Sequence, residues 1–161
     1  MHSEIGLDIA APPDLVFALA RDVGRWTDLL PHYVRSRTVE RRPDGTSLTE
    51  FVARRPLIAV LGLGLPVTWR ARTWSDPKSR RLRFVHVAGA TRGMDVTWRI
   101  ESRGAGTYVV IEHDFRSRLP SFAAFVDRFF TRPIAGQTLA TFKAIAETVQ
   151  SETVDRADAR S

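Results

Sequence analysis

The sequence contains no cysteine. That excludes disulfides, a thiol nucleophile and any metal site built on thiolates. The N-terminal stretch Met1-His2-Ser3-Glu4-Ile5-Gly6 lacks a basic patch followed by an apolar run, so no secretory signal is expected and a cytoplasmic location is the default. No internal repeat is visible. The apolar run Leu57–Val67 falls well short of the about 20 residues that a bilayer-spanning helix requires. What is present fits one small domain: 161 residues, 43% hydrophobic and 26% charged, are enough for one core and too few for two. The net charge of +6 favours acidic partners such as an anionic membrane, a nucleic acid or an acidic carrier protein.

Apolar residues alternate weakly over residues 2–10, which predicts a first strand. Pro12-Pro13 stops it. Asp14 then falls in the first turn of a helix, where a carboxylate meets exposed N–H groups, and Leu15, Val16, Leu19 and Val23 keep helical spacing. Strand patterns recur at 33–40, 47–55, 66–75, 81–88, 93–102 and 107–116. Pro43-Asp44-Gly45, Asp76-Pro77-Lys78-Ser79, Gly89–Gly93 and Gly104-Ala105-Gly106 separate several of them as turns. A meander of this kind must bury one face. The segment 120–150 is the expected cover, with Phe122, Phe125, Val126, Phe129 and Phe130, then Leu139, Phe142, Ile145, Ala146 and Val149, on one helical stripe. Pro133 and Gly136 interrupt it, so a kink or two helices are expected. These elements make one domain over 1–150, and the polar tail 151–161 is expected to be frayed or disordered.

Alternate side chains of a strand point to opposite faces. The inward sets are therefore Val67, Trp69, Ala71 and Thr73; Leu82, Phe84 and His86; Met94, Val96, Trp98 and Ile100; and Val109, Ile111, His113 and Phe115. His86 and His113 thus face inward near the ends of parallel strands separated by one other, roughly 10 Å apart at about 4.8 Å per strand. Each is either a core histidine satisfied by a neighbour or a general acid/base, because neutral imidazole donates and accepts at once. With no thiolate and no clear third ligand, a metal is not expected. Trp26, Trp69 and Trp98 either fill the core or wall a pocket for a planar ligand. Arginines at 35, 37, 41, 42, 54, 55, 70, 72, 80, 81 and 83 fall mostly on outward parity. They lack an adjacent stacking platform, so nucleic-acid binding is not expected.

The run Leu57–Val67 lies between the third and fourth strands as read here. It is a lid over the cavity mouth, a membrane-docking loop, a dimer contact or part of the core. Gly62 and Gly64 favour a hinged flap that closes Leu61, Leu63 and Leu65 over a ligand.

The order Val16-Phe17, Asp22-Val23-x-x-Trp26, Pro31, the Trp69 strand, Met94-Asp95-Val96-Thr97-Trp98-Arg99 and Leu139-x-x-Phe142-Lys143-Ala144-Ile145-x-Glu147 resembles the START-like (SRPBCC) helix-grip superfamily. The nearest branches are the polyketide cyclase/dehydrases and the coenzyme Q-binding proteins. The resemblance implies an α+β helix-grip fold, a curved antiparallel sheet wrapped around a long C-terminal helix with a ligand cavity between. Tetracenomycin-type aromatase/cyclases have pocket tryptophans matching Trp26, Trp69 and Trp98 and a tyrosine matching Tyr33. Their fourth-strand arginine position is Thr73 here, their fifth-strand arginine position is His86, and His113 stands where they have a polar pocket residue.

Two functions follow as expectations. The first is a cofactor-independent polyketide cyclase, aromatase or dehydratase acting on a hydrophobic poly-β-ketone, delivered by an acidic acyl carrier protein. Its catalytic residues would be His86, His113 and Tyr33, and its binding residues Trp26, Trp69, Thr73, Phe84, Met94, Trp98, Ile111 and Phe129. The second is a non-catalytic carrier or chaperone of a quinone or other lipid, with membrane contact through Leu57–Val67.

Overall fold

A computed structural model describes residues 1–58, 63–116 and 119–160. Strand β1 (His2–Ile9) ends at Ala10-Ala11, and Pro12-Pro13 opens α1 (Pro13–Arg21). Pro13 occupies the first helical turn, where its missing N–H costs nothing, and Asp14 meets the turn's positive end. The buried face of α1 is Val16, Phe17 and Ala20. A 3-10 turn at Val23–Arg25 leads into the single-turn helix α2 (Trp26–Leu29). Six further strands follow: β2 (Tyr33–Arg41), β3 (Ser47–Ile58), β4 (Leu63–Asp76), β5 (Arg81–Gly89), β6 (Met94–Arg103) and β7 (Gly106–Phe115). The chain then forms α3 (Pro120–Val126), a π-helical turn at Asp127–Thr131, and α4 (Arg132–Asp158).

The seven strands form one antiparallel sheet in the order β1-β7-β6-β5-β4-β3-β2, so the chain closes no barrel and leaves β1 and β2 as edges. The long helix packs across the concave face, burying Ile134, Ala135, Thr138, Leu139, Phe142 and Ala146. This is the helix-grip arrangement. Every inward strand residue expected from parity is buried except Val67, which is half-buried against the core. On the convex face the arginines meet carboxylates across the strands: Glu50 bridges Arg35 and Arg70, Asp95 meets Arg83, and Glu112 meets Arg99.

Trp26 is the hub of the core. Its ring lies 5.3 Å from Tyr33, 5.8 Å from Phe51, 5.6 Å from Phe84, 5.4 Å from Trp98 and 5.9 Å from Phe142. Its indole N–H donates to the Ala20 carbonyl at 3.0 Å, so the polar edge of the ring is satisfied where it is buried.

The expected interruption near Pro133 is present as two helices joined by a π turn, while the facing of the aromatic stripe departs from the expected pattern. Pro133 lacks the N–H that an α-helix needs to bond back one turn, and the chain answers with the π turn just before it. That wider turn shifts the helical phase. The anticipated buried stripe is turned outward in α3: Phe122, Phe125 and Phe129 are 40%, 48% and 38% exposed, while the smaller Ala123 and Val126 are buried. Helix α4 runs on to Asp158, with residues 151–158 exposed.

The run Leu57–Val67 is not simply a loop between strands. Strand β3 reaches Ile58, β4 begins at Leu63, and Pro56 pairs with Gly64 and Ile58 with Leu63, so the described part is the end of a hairpin. Residues 59–62, on which the flap expectation largely rests, lie outside the described residues.

Candidate active site

Between the sheet and α4 lies a cavity of about 80 Å³. At roughly 10–15 Å³ per water position, that is room for five to eight waters, or about one substituted six-membered ring. Its walls include Trp26, Trp69, Trp98, Phe51, Phe84, Met94, Val96 and Ile111. Its polar groups are Tyr33, His86, Thr91, His113, Thr131 and Thr138. Among the described residues no Lys, Arg, Asp or Glu lines it.

The register explains how the histidines meet. Phe84 pairs with Val96 and Val96 with His113, while His86 lies two residues beyond Phe84 on the same face of β5. Both imidazoles therefore reach one cavity from strands separated by β6. His86 stacks on Trp69, with ring centroids 5.8 Å apart and planes 21° from parallel. Its Nδ1 lies 2.6 Å from the Thr91 hydroxyl, held by the β5–β6 turn. That turn needs glycine at 89: φ is +95°, and a Cβ there would stand 2.6 Å from the Thr68 carbonyl oxygen. The Nδ1 of His113 is buried without a hydrogen-bond partner.

Burial dominates the electrostatics. Desolvation lowers the His86 pKa to about 3, helped by the nearby His113. It also lowers His113 to about 4, with Asp127 partly opposing. Both rings are therefore neutral at pH 7. Burial pushes the Tyr33 phenol above its ordinary range, so it stays protonated and able to donate.

Of the expected site residues, Tyr33, His86, His113, Trp26, Trp69, Phe84, Met94, Trp98 and Ile111 all line the cavity. Thr73 does not. It is buried near the far end of β4, 3.1 Å from the Thr49 hydroxyl and donating to the Ser47 carbonyl at 3.3 Å, so parity placed it on the right face but too far along the strand. Phe129 does not line it either. Phe130 does, because the π turn rotates the helix between them.

Several site residues escaped the sequence reading. Thr91 sits in a turn, where periodicity carries no information. Thr131 closes the π-helical turn, and Thr138 lies in the long helix beside Ile134, Ala135 and Leu139, a polar residue on an apolar face. His32 stands behind Thr138: its Nε2 is 2.9 Å from the Thr138 hydroxyl, which donates to the Ile134 carbonyl at 2.8 Å. With the threonine proton committed there, Nε2 of His32 is the donor of the pair. Its Nδ1 is buried without a partner, and burial lowers its pKa to about 4. Among the described residues no cluster of three His, Cys, Asp or Glu could hold a metal.

An open antiparallel sheet gripping a long helix around an apolar cavity defines the class as a helix-grip domain. Within it, residues 9–143 match the polyketide cyclase/dehydrase and lipid transport family, and the chain belongs to that family. The fold is similar to that of the Zhui aromatase/cyclase from Streptomyces sp. R1128, at 22% identity over 91% of this chain and 93% of that one, with a TM-score of 0.75. It is also similar to the di-domain aromatase/cyclase BexL from the BE-7585A biosynthetic pathway, at 26% identity and a TM-score of 0.69, covering 89% of this chain and 45% of that one. A START superfamily protein from Mycobacterium smegmatis shares 15% identity at a TM-score of 0.67, with 94% and 98% of the two chains covered. No curated protein matches the sequence.

Proposed function

We propose that the protein is a cofactor-independent cyclase/dehydratase that closes one ring of a short poly-β-ketone within the cavity. The observation that carries this reading is the confinement of neutral donors and acceptors, His86, His113 and Tyr33, to one apolar space walled by three tryptophans. Aldol closure requires a methylene carbon between two carbonyls to lose a proton. Its electron pair forms the new C–C bond to a second carbonyl carbon, whose oxygen takes up a proton, and loss of that hydroxyl with a neighbouring hydrogen releases water.

The tryptophans restrict the chain to compact conformers, which removes much of the entropy cost of bringing the carbons together. An imidazole with a pKa of 3 to 4 is a weak base in the empty cavity. The first role of both histidines is therefore to donate to ketone oxygens as neutral rings, and Tyr33 donates to the developing enolate. In the tautomer in which Thr91 donates to Nδ1 of His86, the Nε2–H is the group offered to the carbonyl. As enolate charge develops beside an imidazole in a low-dielectric site, the attraction raises that ring's proton affinity, so the carbon acid's proton has an acceptor.

The volume accommodates the reacting end, and the rest of a carrier-tethered chain leaves through the mouth. A short poly-β-ketone thioester incubated with the protein is expected to lose one water, followed by mass spectrometry. His86→Ala and His113→Ala are expected to abolish that loss while the ligand still quenches tryptophan fluorescence. Absence of turnover by the wild-type protein refutes the reading.

One observation favours a carrier of a quinone or other lipid instead: among the described residues no charged one lines the cavity, and the fourth-strand position holds Thr73, bonded elsewhere. A quinone or lipid released from the purified protein in native mass spectrometry, with no turnover of the thioester, selects that reading.

A further inference from the structure

The first half of the C-terminal segment is built inside out. A helix packed on a core turns its large apolar side chains inward, yet α3 and the π turn bury Ala123 and Val126 and expose Phe122, Phe125 and Phe129. Leu119, just before the helix, is 65% exposed. The spacing 122, 125, 129 places the three rings along one outward stripe, with Phe125 and Phe129 4.8 Å apart. Phe125 also lies 5.8 Å from Phe130, and Phe130 lines the cavity. Aromatic surface thus runs without a break from the outside of the helix to the cavity wall.

Over residues 116–132, which hold the stripe, the sequence carries Arg116, Arg118, Arg128 and Arg132 against Asp127 alone. Asp127 does not face outward: it accepts from the Ser3 hydroxyl at 2.7 Å and from Arg132 at 2.7 Å. Arg116 and Arg128 are exposed, and Arg128 stands three residues after Phe125 and one before Phe129. Phenylalanines flanked by arginines on a solvent-facing helical surface are the chemistry of an interfacial membrane contact: rings enter the acyl boundary and guanidinium groups meet anionic headgroups.

We propose that the face formed by Leu119, Phe122, Phe125 and Phe129 docks on an anionic lipid bilayer, placing the Phe130 side of the cavity toward the membrane. The continuity through Phe130 favours a lipid surface over an acidic protein, since a ligand dissolved in the bilayer would then reach the cavity without crossing water. The inference is independent of whether the cavity is catalytic. It also moves membrane contact from Leu57–Val67, where the sequence suggested it, to α3.

Sedimentation with phosphatidylcholine vesicles containing phosphatidylglycerol tests it, using the full chain. The wild-type protein is expected to pellet with the anionic vesicles and not with phosphatidylcholine alone. Phe122→Ser/Phe125→Ser/Phe129→Ser is expected to stay in the supernatant while melting close to wild type, because those rings are outside the core. Arg128→Gln is expected to lower partitioning about fivefold, from the ~1 kcal/mol that one basic residue contributes near an anionic surface. Arg37→Gln, on an exposed part of β2, controls for net charge and is expected to leave partitioning at a higher level than Arg128→Gln. Pelleting by the triple variant equal to wild type, equal losses for the two arginine variants, or wild-type protein that ignores vesicles but is retained by an immobilised acyl carrier protein overturns the proposal.

Discussion

Lowering the pH from 7 to 5 should destabilise this protein much more than its surface carboxylates would suggest. Three histidines are buried, each 5–8% exposed, with pKa values of about 4 for His32, about 3 for His86 and about 4 for His113, against an ordinary 6.5. A histidine whose folded pKa is depressed binds its proton first in the unfolded chain. Stability is therefore full above the unfolded value of 6.5 and falls as pH drops below it, until the folded pKa is reached. At pH 5 the unfolded chain gains about 1.5 units of proton affinity per histidine while the folded rings stay mostly neutral, which is a loss of about 2 kcal/mol each and about 6 kcal/mol for three. Domains of this kind have only about 5–15 kcal/mol in total. Lowered carboxylates such as Glu50 and Glu147 add their loss mainly below pH 4.5, so they do not confuse this window. Urea unfolding at pH 7, 6 and 5 measures the slope directly, and His113→Gln should remove about a third of it. A midpoint that does not move between pH 7 and 5 refutes the assignment of these three rings as buried and neutral.

Three further outcomes are expected. Gly89→Ala and Gly93→Ala both force a positive φ on alanine, but only position 89 sets the new Cβ against a backbone carbonyl; denaturation should show about 1–2 kcal/mol lost at 93 and clearly more at 89. Trp26→Ala should cost about 3–5 kcal/mol, as expected for removing a buried aromatic, whereas Phe125→Ser, outside the core, should stay within about 0.5 kcal/mol of wild type by the same denaturant assay. Thr91→Val keeps the volume but removes the partner of His86 Nδ1; it should lower turnover of the thioester at least tenfold with ligand quenching retained, and unchanged turnover would show that Thr91 does not orient the ring.

Most of the cavity wall was legible without coordinates because strand geometry is periodic. Leu82, Phe84 and His86, or Met94, Val96 and Trp98, alternate by two, and a sheet with one buried face can place such residues in only one way. The turns were legible for a related reason: Gly89 and Gly45 occupy conformations that other residues avoid. The three-and-four spacing of apolar residues over 120–150 then supplied the helix as the cover of the buried face. Parity states the face of a residue and not its height, which is why Thr73 was placed in a cavity that it does not reach.

The tertiary structure decided what periodicity cannot carry. A five-residue π turn ahead of Pro133 changes which phenylalanine faces inward, and a rule built on 3.6 residues per turn has no term for it. Thr91 reaches His86 only because β5 and β6 pair across their turn, and His32 reaches Thr138 only because α4 packs over the turn between α2 and β2, a contact spanning more than a hundred residues of chain. The neutrality of the histidines has the same origin. An imidazole's intrinsic pKa is a property of the residue, but its desolvation is a property of everything packed around it, and that exists only in the folded chain.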